Sequence, residues 1–175
     1  MMISRIATAA LLTSALLSPV FAQADKSLAA RIQRLEDVEQ IQRVLLDYGR
    51  SLDAHDFAAY SRLFAKDGEW VGGFGSVRGP AAIQAFMEKN IGSLNKAGAT
   101  YHLLSNFEID VHGDTATVWS RWAYVIPGAD KKPVIAQGGH YDDTFVRENG
   151  QWKFQRRVAV TDVPHFDPNE KNAQK

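Results

Sequence analysis

Residues 135–160, IAQGGHYDDTFVRENGQWKFQRRVAV, hold the reading that decides the fold. Two β-rich runs, 140–147 and 151–160, flank Glu148-Asn149-Gly150. Asn-Gly between alternating segments is the strongest short-range hairpin signal, because a tight turn needs positive φ and both residues tolerate it. Trp152, Phe154, Val158 and Val160 are the expected apolar inner face of the second strand. Gly138-Gly139 at the head of the first run marks an expected bulge or bend, where flat pleating gives way to curvature. A bent sheet needs something against its concave side, and the helical segments upstream are the candidates.

The first of these spans residues 26–54. Leu28, Ile32, Leu35, Val38, Ile41, Leu45, Tyr48 and Leu52 recur at three- and four-residue spacing, one apolar stripe along a helix. Asp56 is placed to cap a second helix over 57–64, with Phe57, Tyr60, Leu63 and Phe64 as its apolar face. A short strand at 69–71 and a flexible loop at Gly72, Gly73 and Gly75 follow. Pro80 then fits the first turn of a third helix, whose stripe is Ile83, Phe86, Met87 and Ile91. Strands at 101–111 and 115–126 meet at His112-Gly113-Asp114, and 127–133 is a polar turn. Three helices with one early strand, followed by an antiparallel meander, define an α+β architecture in which a curved sheet and its helices enclose a pocket.

With 175 residues, 45% of them hydrophobic, the chain fits one domain of about 150 residues. A formal net charge of zero gives no electrostatic ground for nucleic acid or an anionic membrane as partner. The absence of cysteine excludes disulfides, a thiol nucleophile, zinc-thiolate sites and a lipidated cysteine. Residues 1–24 read as a secretory signal peptide: Arg5 is a positive n-region, and 6–17 is an apolar run too short to span a bilayer. Val20-Phe21-Ala22 and Ala22-Gln23-Ala24 both suit cleavage, so the expected destination is periplasmic or secreted, with no membrane contact after removal. The domain is then 25–163, and 164–175 is a polar tail. No phosphate loop, GxGxxG, GxSxG or closely spaced metal-ligand pair occurs, so no nucleotide, metal or other cofactor is expected.

Four stretches in order carry a resemblance: YGRSLDAHDFAAYSRLFAKDGEW at 48–70, RGPAAIQAF at 78–86, TYHLLSNFEIDVHGDTATVWSRW at 100–122 and GGHYDDTFVRENGQWKFQRR at 138–157. Together they resemble the SnoaL-like branch of the nuclear transport factor 2-like superfamily, which includes scytalone dehydratase and bile-acid 7α-dehydratase. The resemblance implies a cone-shaped, curved antiparallel or mixed sheet packed against three N-terminal helices. It also implies a deep apolar pocket for a small apolar ligand or substrate, and a homodimer formed through the outer sheet face. Asp53 and His102 match the pocket Asp and His of those two enzymes, and Tyr48 matches a catalytic Tyr of the bile-acid enzyme. Their further acids fall near Val125 or Ile126, and the bile-acid enzyme's last-strand Arg falls at Thr161.

The chemistry that follows is loss of water β to a carbonyl, or enolisation alone. His suits both proton removal and proton return, an adjacent Asp fixes its tautomer, and a Tyr hydroxyl can donate to the enolate oxygen. His102 is thus the expected acid/base, Asp53 its orienter, Tyr48 the oxyanion donor and His140 a second pocket acid. Trp70, Phe86, Trp122 and Tyr124 are the expected substrate-pocket lining. Simple alternation sets His102 with Asn106, Glu108 and Asp110 against apolar Leu103, Phe107 and Ile109, so an inward imidazole requires a bulge near Ser105 or Asn106. The sequence therefore predicts a cofactor-free lyase or isomerase, with a non-catalytic binding module of the same fold as the alternative.

Overall fold

The computed structural model describes residues 18–94 and 98–164. The leader expected at 1–24 lies outside these as far as residue 17, and the tail lies outside them from residue 165. The elements are α1 (Ser18–Asp53), α2 (Phe57–Ser61), β1 (Phe64–Gly72), β2 (Gly75–Arg78), α3 (Pro80–Asn90), β3 (Tyr101–His112), β4 (Thr115–Pro127), β5 (Pro133–Glu148) and β6 (Gln151–Val163). One six-stranded sheet has the order β2-β1-β6-β5-β4-β3, open at β2 and β3. β1 runs parallel to β6 and the other neighbours are antiparallel, so this α+β chain carries a mixed sheet.

Local chemistry sets the joints. Asn149 and Gly150 take φ of 52° and 78°, and Glu148 pairs with Gln151 across the two-residue turn; positive φ at both central residues is the twist that suits a hairpin. The Asp56 carboxylate accepts the Ala59 N–H at 2.8 Å and so caps α2. Pro80 occupies the first turn of α3. The β5–β6 register shifts between Gly138 and Gly139. A Cβ on Gly139 would lie 1.9 Å from the Val160 carbonyl oxygen and 2.9 Å from the Trp122 ring, so only glycine fits this crossing.

Several elements differ from the sequence reading. The chain divides into two units, residues 1–36 and 37–175. In the first, Leu28, Ile32 and Leu35 are exposed, whereas Ile41, Leu45, Tyr48 and Leu52 in the second are buried, so the expected eight-residue stripe is core only in its later half. α2 stops at Ser61, and Phe64 instead opens β1 paired with Phe154 of β6, where a strand buries its ring as well as a helix could. Gly72 and Gly75 pair with each other and close a β1–β2 hairpin where a flexible loop was expected.

The most consequential difference lies in β6. Phe154 pairs with Phe145 and Arg156 with Thr144, which leaves Gln155 as an extra residue. The added residue flips the alternation, so Trp152 and Phe154 face the core as expected while Val158 and Val160 turn to the other face and Arg157 turns inward. Arg157 is fully buried, its Nε donating to Asp143 Oδ1 at 2.8 Å and its Nη2 to Asp143 Oδ2 at 2.6 Å. The guanidinium lies 3.9 Å from the ring centres of Tyr48 and Tyr141 and 4.3 Å from that of Phe154. Burial by itself lowers the Arg157 pKa, but the Asp143 carboxylate more than compensates and raises it, so the cation persists.

A second clamp ties α1 to the hairpin within residues 37–175. Buried Asp37 accepts from Arg147 Nη2 at 2.7 Å and from Trp152 Nε1 at 3.2 Å. Arg147 also stacks 4.4 Å over the Trp152 ring and reaches Asp114 in the β3–β4 turn at 2.9 Å. Asp143→Ala strands a buried cation and should cost about 3–5 kcal/mol in urea unfolding, whereas Asp143→Leu combined with Arg157→Met should recover much of it. Equal losses in the two variants would show that the ion pair, rather than the stranded charge, sets the stability.

Candidate functional site

β3 reaches His112 without keeping one alternation. Ser105 pairs with Arg121 and Glu108 with Trp119, so Asn106 and Phe107 together face Ser120. Asn106 has φ of 53°, a left-handed conformation that asparagine tolerates better than most residues. This bulge puts His102 and Leu104 on the same face as Phe107, Ile109 and Val111. The condition for an inward imidazole is therefore met.

Asp53 reaches that imidazole from the end of α1. A Cβ on Gly49 would sit 3.0 Å from Leu104 Cδ1, so glycine there lets the helix lie close to β3. Asp53 is four residues on, one turn along the same face. Its Oδ1 is 2.7 Å from His102 Nδ1, and the His102 backbone N–H donates to Oδ1 at 3.1 Å and Oδ2 at 3.0 Å. β3 is an edge strand, so this carboxylate satisfies a backbone donor that faces away from β4. A carboxylate accepting at Nδ1 leaves the proton on Nδ1 and the lone pair on Nε2, the form a general base needs. Both side chains are only 17% and 19% exposed, so water screens the pair weakly.

Aromatic groups surround the imidazole. Its ring lies 4.8 Å from Tyr124 and 6.4 Å from Trp122. The Tyr124 hydroxyl donates to Thr100 Oγ1 at 3.1 Å. The Asp53 carbonyl accepts the Gly98 N–H at 2.9 Å, which ties the approach to β3 to the helix end. Thr100 opens the 100–122 stretch that carries the resemblance but is not among the site residues expected from it.

Tyr48 lies in the core, joined to Trp122 through the Tyr141 ring. It is buried, and its hydroxyl accepts the Trp70 Nε1–H at 3.3 Å. Its ring meets Tyr60 at 4.7 Å and Tyr141 at 5.7 Å. Burial pushes the Tyr60 and Tyr141 hydroxyls well above the usual tyrosine range, so those two stay protonated. Trp70 stacks on Phe86 at 5.6 Å. Of the expected lining, Trp122 and Tyr124 lie beside His102 and Trp70 beside Tyr48 and Phe86, with Tyr141 touching both Tyr48 at 5.7 Å and Trp122 at 5.9 Å.

The SnoaL-like domain model matches residues 33–158. The chain belongs to the SnoaL-like family. This SnoaL-like protein is 31% identical over 143 residues to the uncharacterised protein Rv2910c of Mycobacterium tuberculosis, covering 78% of the present chain and 92% of that one. An NTF2-like protein with a cystatin-like fold from Novosphingobium aromaticivorans is 29% identical with a TM-score of 0.73, over 80% of this chain and 91% of that one. A scytalone dehydratase-like protein from the same organism is 29% identical with a TM-score of 0.61, over 77% and 91% of the two chains.

In this SnoaL-like protein the other expected acid, His140, lies on the opposite sheet face. β5 alternates there without interruption: Tyr141, Asp143 and Phe145 are buried, and His140, Asp142 and Thr144 face away. His140 Nδ1 sits 2.9 Å from Asp162 Oδ2, its Nε2 3.6 Å from Asp142, and its ring 6.0 Å from Trp119. Arg121 completes the group by donating to Asp162 at 2.9 Å. An open groove of about 610 Å³ on that face is lined by Glu108, Asp110, Trp119, Asp142 and Arg156, and includes neither Asp53 nor His102. Correcting the sequence reading, His140 does not join His102.

The His140 hydrogen bond holds the Asp162 carboxyl below the usual carboxylate range, with Arg121 adding to the effect. A folded pKa below the unfolded one gives stability that is present above the unfolded value, about 3.9, and fades as pH falls through the lowered value. His140→Ala should move the Asp162 titration upward, read from its carboxyl-carbon NMR shift. An unmoved titration would assign the depression to Arg121.

Proposed function

We propose that this SnoaL-like protein is a cofactor-free lyase of the dehydratase kind, or an isomerase, acting on a small, largely apolar carbonyl compound. The observation that carries the reading is the 2.7 Å contact between Asp53 and His102 Nδ1, which leaves Nε2 directed away from its orienting carboxylate. Likeness to a scytalone dehydratase-like protein supports the same class of reaction.

In the proposed reaction Nε2 removes the proton from the carbon next to the carbonyl, and the electron pair moves onto the carbonyl oxygen as an enolate. The Asp53 carboxylate stabilises the imidazolium so formed. In dehydration the enolate re-forms the carbonyl and expels the β-hydroxyl, which takes the proton back from His102 and leaves as water. In isomerisation the same proton returns to a different carbon of the enolate. Every proton lost by substrate is accounted for by one imidazole, so the scheme needs no redox partner.

A second reading, a non-catalytic ligand-binding module, draws on the backbone hydrogen bonds of Asp53 to His102, since capping an edge strand requires no chemistry. A screen of β-hydroxy ketones and β,γ-unsaturated ketones separates the two, with conjugated enone absorbance as the readout. Turnover is expected in the parent chain, with a loss of about 10²- to 10⁴-fold in His102→Ala. No turnover across the panel, together with a retained ligand in native mass spectrometry, would favour the binding module. Undiminished turnover in His102→Ala would remove the base assigned here.

Export and self-association belong to the same proposal. The Arg5 and 6–17 pattern supports a cleaved leader, and the family resemblance supports a homodimer. Chain recovered from the periplasm or medium should begin at Gln23 or Asp25 on N-terminal sequencing and show twice its chain mass in light scattering.

A further inference from the structure

We propose that Tyr124, with Thr100 behind it, is the hydrogen-bond donor that holds the carbonyl or enolate oxygen of the substrate. This rests on the reading of His102 as the base, because a donor and a base serve one reaction only if a single small molecule reaches both.

Register places them together. Tyr124 of β4 pairs directly with His102 of β3. Directly opposed residues of an antiparallel pair project from the same face with the shortest separation a sheet allows. Their ring centres are 4.8 Å apart, with planes tilted by 33°. The β4–β5 register then shifts between Tyr124 and Val125, since Tyr124 pairs with Gln137 and Val125 with Ile135. The extra residue, Ala136, is a bulge beside Tyr124, and bulges of this kind fix the aim of a neighbouring side chain.

The hydroxyl has the means to donate. Thr100 Oγ1 lies 3.1 Å from Tyr124 Oη, and Thr100 is buried. Each hydroxyl can donate or accept by rotating its proton. When an enolate oxygen arrives, the Tyr124 proton turns to it and Thr100 donates to Tyr124 Oη, so the phenol oxygen keeps its partner while its proton serves the substrate. Such a chain of hydroxyls strengthens the terminal donor as negative charge builds. Tyr48, the donor expected from sequence, is buried with its ring packed on Arg157 and against Tyr60, whereas Tyr124 is paired directly with His102. Tyr124 thus touches substrate as a catalytic residue, and Thr100 acts through it as a positioning residue.

The test uses 4-nitrophenolate as an enolate mimic, with binding to the full chain followed by its visible absorbance. The parent chain should bind it, and Tyr124→Phe should weaken binding roughly tenfold to a hundredfold, the worth of a hydrogen bond to a charged acceptor. Thr100→Val should weaken it less, and Thr100→Ser should restore it. Rescue by serine separates a hydroxyl relay from simple packing, and the threonine variants carry the test if Tyr124→Phe melts in circular dichroism. No binding by the parent chain, or equal affinity in Tyr124→Phe, would overturn the proposal. Failure of the base reading is seen separately, as undiminished ketone turnover in His102→Ala, and does not depend on phenolate affinity.

Discussion

The buried pair of Arg157 and Asp143 is the constraint from which the interior is built. Removing a guanidinium and a carboxylate from water costs several kcal/mol each, and only close geometry with further contacts offsets it. Both side chains are completely inaccessible, and they sit directly opposite each other on β5 and β6. Both guanidinium nitrogens nearest the carboxylate donate to it, while Tyr48, Tyr141 and Phe154 give the cation their ring faces. Tyr48 belongs to α1, so the pair also fixes where the helix rests on the sheet. With Asp37 bound to Arg147 and Trp152 about three turns earlier, α1 has two anchors on one hairpin. Its end, and Asp53 with it, follows from them.

What could be read in the residues was the chemistry that acts locally. Asn149-Gly150 requires positive φ, Asp56 presents an oxygen to the first amides of a helix, and Pro80 lacks a donor that the first turn does not use. Each holds whatever surrounds it, and each stands as read. Asp53 and His102 came from family resemblance rather than from pattern, and the contact between them is a tertiary fact.

What could not be read depends on strand register. Extra residues such as Asn106, Ala136 and Gln155 reverse or re-aim the side chains beyond them. Nothing in SNF, IAQ or FQR marks the middle or flanking residue as the one left unpaired. Val158 and Val160 looked like core and are displaced by one position, which puts a charged residue where an apolar one was expected. His140 shows the opposite case: β5 alternates regularly past the paired glycines, and the extra residue at that register shift, Asp162, lies on β6. Phe64 shows the same limit for helices: its ring needed burial, and a strand supplied it.

The two histidine–aspartate pairs show why spacing alone does not define a site. His140 and Asp162 face outward with Arg121 and Asp142 beside them, so the imidazole has a carboxylate near each nitrogen. Among the described residues His102 has its carboxylate at Nδ1, and the Tyr124 and Trp122 rings lie 4.8 and 6.4 Å from its own. An imidazole held on one side only can exchange a proton on the other, whereas one bracketed by carboxylates is held as part of a charge network. Asp53 adds a further coupling, since the same two oxygens satisfy a backbone N–H on the open edge of β3. Shifting the edge strand by one residue would strip the imidazole of its orienting partner and the backbone of its acceptor at once. The orientation of the base is thus enforced by the same bond that closes the sheet edge, and the site can be no looser than the edge strand itself.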